Sequence, residues 1–434
     1  GLLSFILPNK FLSADYGIKI RSLLLNESEI KEIINISSLP IFQNAATYPI
    51  ILSVKKANQN KKKKIIVKVF NNFYELAENN IIKSIKLNQN LIKKLPSKVI
   101  PISGNIELIN YLFKHFNTFD KSFKDLKIIY RPFGFLKYGK YFDNISNRPK
   151  SSNDLLLLGT GNIEKYYIKF NKRIKIIGKD IKISYFNYHT NFEHIWGDLS
   201  SEKLVFREIA KDLTCCYDPG VFANITGLYF IKIPSFNTDQ LFGLLTILNS
   251  EFMDSIFKTL FGTLHMAGGY LRFNGSFIKR LPLPRKFPVF LSNLGKILQF
   301  LTQLKYNLSV IKTENMETRA LNIFNNKYYN ELNTVLNFYL KLNNSLVKLL
   351  FLDDYYLKFN LDYNFSRELM DSKLHSLKIP FKFFIPRFDT LNYKTYSLHE
   401  LDSILIEINK LYSYLNSNKD LLNQLNHLQK NSFS

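Results

Sequence analysis

Residues 1–70 alternate short apolar runs with one stretch of helical spacing. Strands are predicted where β-branched and aromatic residues cluster between turn residues, at 2–7, 30–36, 48–54 and 65–70. A helix is predicted after Ser13, a suitable N-cap, from the spacing of Tyr16, Ile20, Leu23 and Leu24. Such alternation is typical of an open α/β sheet, and so short a piece predicts further strands upstream.

The periodic signal weakens over 71–173, which we interpret as a connector. Clear elements return at 174–288, where an apolar run over 226–233 predicts a strand that ends before Pro234. One amphipathic helix, capped by Thr238 or Asp239, is predicted to follow. Its apolar face consists of Leu241, Leu244, Leu245, Leu248, Phe252 and Ile256.

Residues 289–434 have a helical pattern. Apolar residues at alternating spacings of three and four predict packing helices over 294–311 and 398–415, interpreted as an antiparallel pair that brackets the segment between them. The chain is therefore predicted to combine α/β and α+β parts with a helical C-terminal region.

The chain is strongly basic. Its 434 residues include 59 Lys+Arg against 35 Asp+Glu, a formal net charge of +24. Such an excess favours a polyanionic partner, with nucleic acid as the leading class. The codon bias of an AT-rich genome also raises the lysine count, so charge alone does not decide the function.

The two cysteines, Cys215 and Cys216, are adjacent, which excludes an ordinary disulfide between them and fits no zinc-ligand spacing. We expect packing thiols in a reducing cytoplasm, and no metal site. No apolar run reaches the roughly 18 residues of a membrane span, so no membrane partner is expected. The chain starts at Gly1 rather than Met, inside a predicted strand, so a missing upstream segment is expected.

Several ordered blocks carry a family resemblance. The segments GLLSFILPNKFLSADYGIKIRSLL and LPIFQNAATYPIILSVKK resemble the closing part of the methyltransferase domain in TaqI-like and related type IIG adenine-specific DNA methyltransferases of restriction-modification systems. Five further segments resemble the TaqI-like target-recognition domain in order and spacing. They are IIGKDIKISYF, KLVFREIAKDLTCCYD, NITGLYFIKI, LLTILNS and HMAGGYLRFNGSFIKRLPLP.

The resemblance implies four parts. Residues 1–70 would be the C-terminal end of a methyltransferase domain with a Rossmann-like sheet, and 71–173 a connector. Residues 174–288 would form a mixed α/β target-recognition domain that sets DNA specificity, and 289–434 a helical region. The implied reaction transfers a methyl group from S-adenosylmethionine to the exocyclic amine of adenine in a defined site of double-stranded DNA.

The family's catalytic motifs are not found in this sequence. It contains no Pro-Pro dipeptide, hence no Asn-Pro-Pro-Tyr motif, and no glycine-rich turn for the methyl donor precedes Leu2. We therefore expect no catalytic residue in this chain and no activity from it alone. S-adenosylmethionine would bind to an upstream methyltransferase half, fused or separate, and a nuclease cannot be assigned.

Phe42 lies where the family places an aromatic residue that stacks on the flipped adenine, although a lone Phe also packs sheet edges. Asn9 and Lys10 follow a strand end, where ligands collect in open sheets, and form an ordinary polar loop otherwise. The predicted DNA-binding residues combine donors for phosphates and base edges with glycines that permit close backbone approach; they are Lys179 and Asp180 after Gly178, then Arg207, Lys211, Thr214, Tyr217, Gly268, Gly269, Tyr270 and Arg272. The lysine run 61–64 is interpreted as a solvated loop with DNA contact as its alternative.

Two other classes stay open at this point. One is a separate, non-enzymatic DNA specificity subunit that delivers a methyltransferase protein. The other is a decayed DNA-binding remnant, against which the intact order of the blocks and the retained glycines Gly268 and Gly269 stand.

Overall fold

A computed structural model of the chain describes residues 1–42, 47–56, 63–81, 83–133, 142–169, 173–176, 179–182, 184–313, 319–357 and 397–430. Gly178, Lys61 and Lys62, which the sequence analysis singled out, lie outside the described residues.

The predicted N-terminal strands are present and belong to one five-stranded sheet. Its strands are β1 (Leu2–Pro8), β2 (Ser28–Asn35), β3 (Pro49–Lys56), β4 (Lys64–Val69) and β5 (Lys83–Asn88). The order is β1-β3-β2-β4-β5, and every pairing is antiparallel except that of β2 with β4. A mixed α/β arrangement is thus confirmed for this part.

The predicted helix begins later than expected. Helix α1 (Ile18–Glu27) follows two short 3₁₀ turns, Asn9–Leu12 and Asp15–Gly17. Ser13 is not its N-cap, because the Ser13 hydroxyl is buried against the hydroxyl of Thr263.

The buried face of α1 also differs from the prediction. Tyr16, Ile20 and Leu23 are exposed, whereas Arg21 is fully buried. The Arg21 guanidinium donates to the carbonyl oxygens of Phe11 (2.5 Å), Ala14 (2.7 Å) and Ser97 (2.9 Å), so it joins the turns before α1 to the 3₁₀ turn Pro96–Lys98. Hydrophobic periodicity could not find this face, because a charged residue occupies it.

The predicted connector contributes strands to two different sheets. Strand β5 is the edge strand of the N-terminal sheet, and β7 (Lys127–Tyr130) is the edge strand of a central sheet. Its other elements are α2 (Phe73–Ala77), α3 (Gln89–Ile92), α4 (Ile106–His115), β6 (Asn117–Thr118), α5 (Phe119–Ser122), β7 (Lys127–Tyr130), β8 (Ile145–Ser146), β9 (Leu155–Leu157), β10 (Ile163–Glu164) and β11 (Tyr167–Ile168).

The central part is built on two four-stranded sheets, β17-β15-β19-β7 and β18-β9-β14-β8, with short pairs β10-β11, β12-β13, β16-β20 and β21-β6 beside them. The remaining strands are β12 (Arg173–Ile176), β13 (Lys179–Lys182), β14 (Tyr185–Phe186), β15 (Lys203–Arg207), β16 (Ile209–Ala210), β17 (Cys215–Asp218), β18 (Phe222–Ala223), β19 (Leu228–Lys232), β20 (Leu271–Arg272) and β21 (Pro282–Leu283). The predicted strand over 226–233 is confirmed as β19. Its helices are α6 (Glu193–Leu199), α7 (Thr238–Leu248), α8 (Glu251–Phe261) and α9 (Gly275–Ile278).

The single helix predicted after Pro234 is two helices. Its N-cap is Asn237, in a capping box with Gln240, rather than Thr238 or Asp239. The break falls at Asn249 and Ser250. The Asn249 side chain accepts from the backbone N–H of Cys215 (2.9 Å) and donates to its carbonyl (3.0 Å), while Ser250 caps α8.

The predicted C-terminal helices are confirmed as α10 (Val289–Thr313) and α12 (Leu398–Ser417), with α11 (Arg319–Leu357) and α13 (Lys419–Lys430) beside them. Helix α11, which the sequence analysis did not single out, packs against α10, α12 and α13. Across the described ranges, the structure contains no helix with the length and hydropathy of a membrane span.

Side-chain amides fix these helices to the central part. Gln303 of α10 accepts from the Ile168 N–H (3.2 Å) and donates to its carbonyl (3.1 Å). Asn343 of α11 donates to the Tyr166 hydroxyl (3.0 Å) and to the Thr246 carbonyl (3.2 Å). The helical region and the central sheets are therefore held together by buried polar contacts as well as by apolar packing.

Candidate nucleic-acid interface

A two-stranded ribbon carries much of the predicted binding set to the surface. Ile209 pairs with Arg272 and Ala210 with Leu271, so the end of the KLVFREIAK block meets the HMAGGYLRF block. Lys211 and Tyr270 contact each other beside this ribbon, the ammonium lying 5.8 Å from the ring centroid. The Arg272 side chain is 53% exposed. We call Lys211, Tyr270 and Arg272, together with Glu208, the basic-aromatic face.

The double glycine turns the chain before this ribbon. Gly268 and Gly269 adopt φ of +75° and +77°, a backbone region that L side chains rarely occupy. The turn is closed by a hydrogen bond from the Met266 N–H to the Tyr270 carbonyl (2.6 Å). Open space surrounds the position of a Cβ on Gly269, so a ligand can approach this backbone closely.

Glu208 lies on the buried side of the basic-aromatic face, behind Arg272. Its carboxylate is largely buried, with Oε1 3.4 Å from Arg272 Nε, and Oε2 accepts from the Tyr130 hydroxyl (2.8 Å). Tyr130 stacks on Tyr229 with centroids 4.3 Å apart. Burial, with the nearby Glu208 and Tyr130, raises the pKa of Tyr229 to about 12, so it stays a neutral phenol.

Arg207 occupies a separate, half-buried position. Its Nη2 lies 3.2 Å from Glu164 Oε1, and the same carboxylate also binds Lys169 (2.5 Å). One negative charge is thus shared by two cations, which leaves a net positive site beside the β10–β11 turn.

Thr214 and Tyr217 do not share the exposed surface that the sequence interpretation assigned to them. Both are buried, Thr214 donating to the Asp212 carbonyl (2.9 Å) and Tyr217 stacking on Phe242 of α7 (4.7 Å between centroids). The reason is that β17 is covered by α7, so all its side chains are buried. Sequence proximity to Arg207 and Lys211 did not reveal this.

Lys179 and Asp180 lie at the start of β13, in the hairpin with β12, and both are exposed. The hairpin approaches Gly159 so closely that a Cβ there would lie 2.7 Å from the Lys175 carbonyl oxygen. A glycine at 159 therefore permits the hairpin to pack in this position.

A junction joins the N-terminal sheet to the segment that leads into the basic-aromatic face. The Tyr48 and His265 rings meet edge to face with centroids 3.7 Å apart, and Asp15 pairs with Arg280 at 2.5 Å. Phe42, the base-stacking candidate, is 46% exposed. Through Tyr48 and Asp15, the N-terminal part thus contacts the segments on either side of the basic-aromatic face.

Asn9, at the end of β1, belongs to this junction. Its N–H donates to the Tyr48 carbonyl (2.9 Å). Its side chain is fully buried, and among the described residues neither amide atom has a hydrogen-bond partner, whereas Lys10 beside it is exposed. A buried amide without partners costs folding free energy, so Asn9 differs from an ordinary polar loop residue.

Sequence reasoning missed Glu208, Tyr130 and His265. Glu208 directly follows Arg207 in the block KLVFREIAK, and a lone carboxylate within a basic block was the available signal. Tyr130 lies in the predicted connector, and no sequence pattern around it indicated a contact with Glu208.

The metal-binding and thiol chemistry of the described residues is limited. No group of His, Cys, Asp and Glu side chains within the described ranges is arranged to hold a metal ion. Cys215 and Cys216 are fully buried, and burial raises the pKa of both thiols, so they pack as neutral groups.

Two protein families match parts of the chain. The family described as "TaqI-like C-terminal specificity domain" matches residues 156–283, and "Eco57I restriction-modification methylase" matches residues 1–42. The predicted resemblance to restriction-modification enzymes is thereby confirmed, and the central part is similar to a TaqI-like specificity domain. No curated protein matches the sequence.

Solved structures of restriction-modification enzymes are similar at low identity. The type IIG restriction endonuclease BpuSI has 12% identity and a TM-score of 0.30 over 68% of this chain, and the Type IIL enzyme MmeI in complex with DNA has 10% and 0.36 over 95%. A nuclease-deletion mutant of the Type ISP enzyme LlaGI, with a DNA substrate mimic, has 9% and 0.37 over 70%. This chain spans 42%, 50% and 30%, respectively, of those chains.

Proposed function

We propose that this chain reads the target sequence in double-stranded DNA, and holds the target adenine, for an adenine-specific methyltransferase of a type IIG restriction-modification system. The observation that carries the proposal is the basic-aromatic face, exposed on a domain that matches a TaqI-like specificity domain. The chemistry of methyl transfer is assigned to an upstream half, fused or separate.

The composition of the face suits a DNA groove. Lys211 supplies a cation for a phosphate, Arg272 a planar donor, and the turn at Gly268 and Gly269 a backbone that a duplex can approach. Lys179 and Asp180, on the β12–β13 hairpin, and Arg207 would add contacts beyond the ribbon. We assign Thr214 and Tyr217 to internal packing, because both are buried.

The junction supports a role in holding the flipped base. An enzyme that modifies a base must extrude it from the duplex and usually stacks it on an aromatic side chain. Phe42 is an exposed aromatic side chain. Tyr48, in the same sequence block, contacts His265 in the segment that carries the reading residues, so contacts of the N-terminal part would couple reading to base holding.

The exposed apolar surface of the N-terminal sheet supports an upstream half. Strand β1 lies at the edge of this sheet and exposes both faces, Leu2 being 68% and Phe5 52% exposed. Large hydrophobic residues on a sheet edge favour cover by further structure. We propose that the methyltransferase half, with its Rossmann-like sheet, supplies this cover.

S-adenosylmethionine, the methyl donor of such enzymes, is assigned to the same upstream half. The described residues at the end of β1 do not fit its binding, because Asn9 is buried and no glycine-rich turn occurs there. We place the protein in the reducing cytoplasm, where Cys215 and Cys216 remain free thiols.

The test is binding of the purified full chain to a pool of random-sequence duplexes over a salt series. Enrichment of one short motif, retained at moderate salt, is the expected result. Sequence-blind retention that vanishes with the steep salt slope of phosphate contacts alone would overturn a reading function for this chain. The variant Phe42→Ala should keep the motif but bind a duplex with a mismatched target adenine no more tightly than a paired one, because stacking no longer rewards extrusion.

A further inference from the structure

We propose that Glu208 is a positioning residue that fixes the guanidinium of Arg272, and that this ion pair reads the major-groove edge of one guanine. The inference rests on the proposed function and deepens it, because it assigns a base and a mechanism to one part of the basic-aromatic face.

The contacts of Arg272 leave its outer nitrogens available. Oε1 of Glu208 lies 3.4 Å from Nε, and within the described part of the chain neither Nη1 nor Nη2 of Arg272 has a hydrogen-bond partner. Glu208 is itself fixed, since Oε2 accepts from Tyr130 and the Glu208 carbonyl accepts from the Phe273 N–H (2.7 Å). The charge of this fixed carboxylate, 3.4 Å from Nε, favours orientations of the guanidinium in which the outer nitrogens face away from it and stay free for bidentate donation.

Charge favours a base edge over a phosphate at this position. The Glu208 carboxylate offsets the charge of Arg272, so the pair attracts an anion less than a lone cation does, and its carboxylate repels a phosphate. Two parallel N–H donors still match the O6 and N7 acceptors of guanine, the commonest specific contact of arginine in the major groove.

Lys211 provides the contrast on the same face. Its contact is the Tyr270 ring, and within the described ranges no carboxylate pairs with it. A compact ammonium with its full charge suits a phosphate. Lys211→Gln is therefore the matched control: it should weaken binding to all sequences alike and reduce the salt slope by about 0.9.

The experiment uses the full chain and the duplex that it enriches from the random pool. The enriched motif should contain a guanine whose replacement by adenine, or by 7-deazaguanine, which lacks the N7 acceptor, weakens binding by roughly 5- to 150-fold. Arg272→Ala removes the donors at an exposed position, so it should bind the guanine, adenine and 7-deazaguanine duplexes within about 2-fold of one another.

Glu208→Gln tests the positioning role. It should lower the preference for that guanine while it raises affinity for random-sequence DNA, because a negative charge leaves the face. If Glu208 had a purely structural role, the variant would lose affinity for the guanine-containing duplex and for random-sequence DNA alike. Tyr130→Phe removes the hydrogen bond to Oε2, together with a longer contact of 3.5 Å to the Thr226 hydroxyl. It should shift both quantities in the same directions by less, and it replaces Glu208→Gln as the test if that variant does not fold.

The outcomes separate the two proposals. If the wild-type chain enriches no motif, the proposed function itself fails. If it enriches a motif without a guanine that responds to 7-deazaguanine, or if Arg272→Ala keeps the guanine preference, the assignment of Arg272 is overturned while the reading function stands. If Glu208→Gln leaves both affinities unchanged, the positioning role is overturned.

Discussion

The buried core and the exposed face use the same kinds of side chain for opposite purposes. In the core, Lys203 and Asp218 form an ion pair at 2.5 Å with neither side chain exposed, and Arg21 is satisfied by backbone carbonyls. On the face, Arg272 is paired with Glu208 and Lys211 lies on an aromatic ring. Burial, rather than residue type, decides whether a cation stabilises the fold or remains available to a ligand.

The core pair depends on both of its members. Burial lowers the pKa of Lys203 and raises the pKa of Asp218, and each shift is opposed by the partner's charge. Asp218 also accepts from the N–H groups of Gly220 (2.8 Å) and Val221 (2.9 Å). Losing one member therefore leaves an uncompensated charge in the interior.

The largest effect is expected from Asp218→Ala. Because Lys203 would remain buried without its carboxylate, the free energy of unfolding should fall by about 3–5 kcal/mol. Urea denaturation followed by circular dichroism measures this change. Glu208→Ala is the matched control and should cost less, because it leaves its partner Arg272 half exposed to solvent rather than buried. Equal losses in the two variants would refute the distinction between core and face.

Arg21→Lys should have the next largest effect. Burial and the nearby Arg280 lower the pKa of Arg21 to about 10, so it stays charged at neutral pH and still needs its acceptors. A lysine keeps the charge but cannot reach the three carbonyls at once, and the free energy of unfolding should fall by about 1–3 kcal/mol. Lys19→Gln, on the exposed side of the same helix, should change it little. An unchanged denaturation midpoint in Arg21→Lys would contradict the role of the guanidinium.

Lys258 sharpens the comparison among exposed cations. Burial alone would lower the pKa of Lys258, but hydrogen bonds with Asp212 and Asp254 raise this pKa. Because these carboxylates already neutralise it, Lys258→Gln should leave the salt slope of DNA binding within about 0.3 of the wild-type value, whereas Lys211→Gln reduces it by about 0.9. Equal salt slopes for the two variants would mean that an ion pair with a carboxylate does not reduce the availability of a lysine for DNA phosphates.

The smallest effect concerns pH. Burial alone would raise the pKa of Asp154, but hydrogen bonds from Tyr188 N–H (2.9 Å), Ser151 and Lys150 lower it. A pKa that is lower in the folded than in the unfolded chain gives stability that is present above about pH 4 and is lost as pH falls below it. Asp154→Asn should flatten the dependence of the denaturation midpoint between about pH 5 and pH 3. An unchanged dependence would show that this carboxylate is not responsible.

The sequence predicted elements well where one periodicity dominates. Strands β1 to β4 and β19, and helices α10 and α12, follow from apolar runs or from three-and-four spacing. It failed where a polar side chain interrupts or replaces the pattern. Asn249 ends α7 by bonding to the backbone of Cys215, and Arg21 occupies the buried face of α1.

The candidate site was predictable in composition but not in arrangement. The blocks contain Lys211, Tyr270 and Arg272, and the structure brings these together on one ribbon. The sequence could not separate them from Thr214 and Tyr217, because the cover of β17 by α7 is a long-range contact. Nor could it pair Glu208 with Tyr130, which lies 78 positions away in the chain.

The amide contacts of Gln303 and Asn343 define what can be transplanted. An engineer who moves only residues 156–283 into another enzyme would leave the backbone of Ile168 and the hydroxyl of Tyr166 without their partners from α10 and α11. The exchangeable cassette therefore extends through α11, and a graft that stops at residue 283 carries the basic-aromatic face without the helices that hold its domain in place.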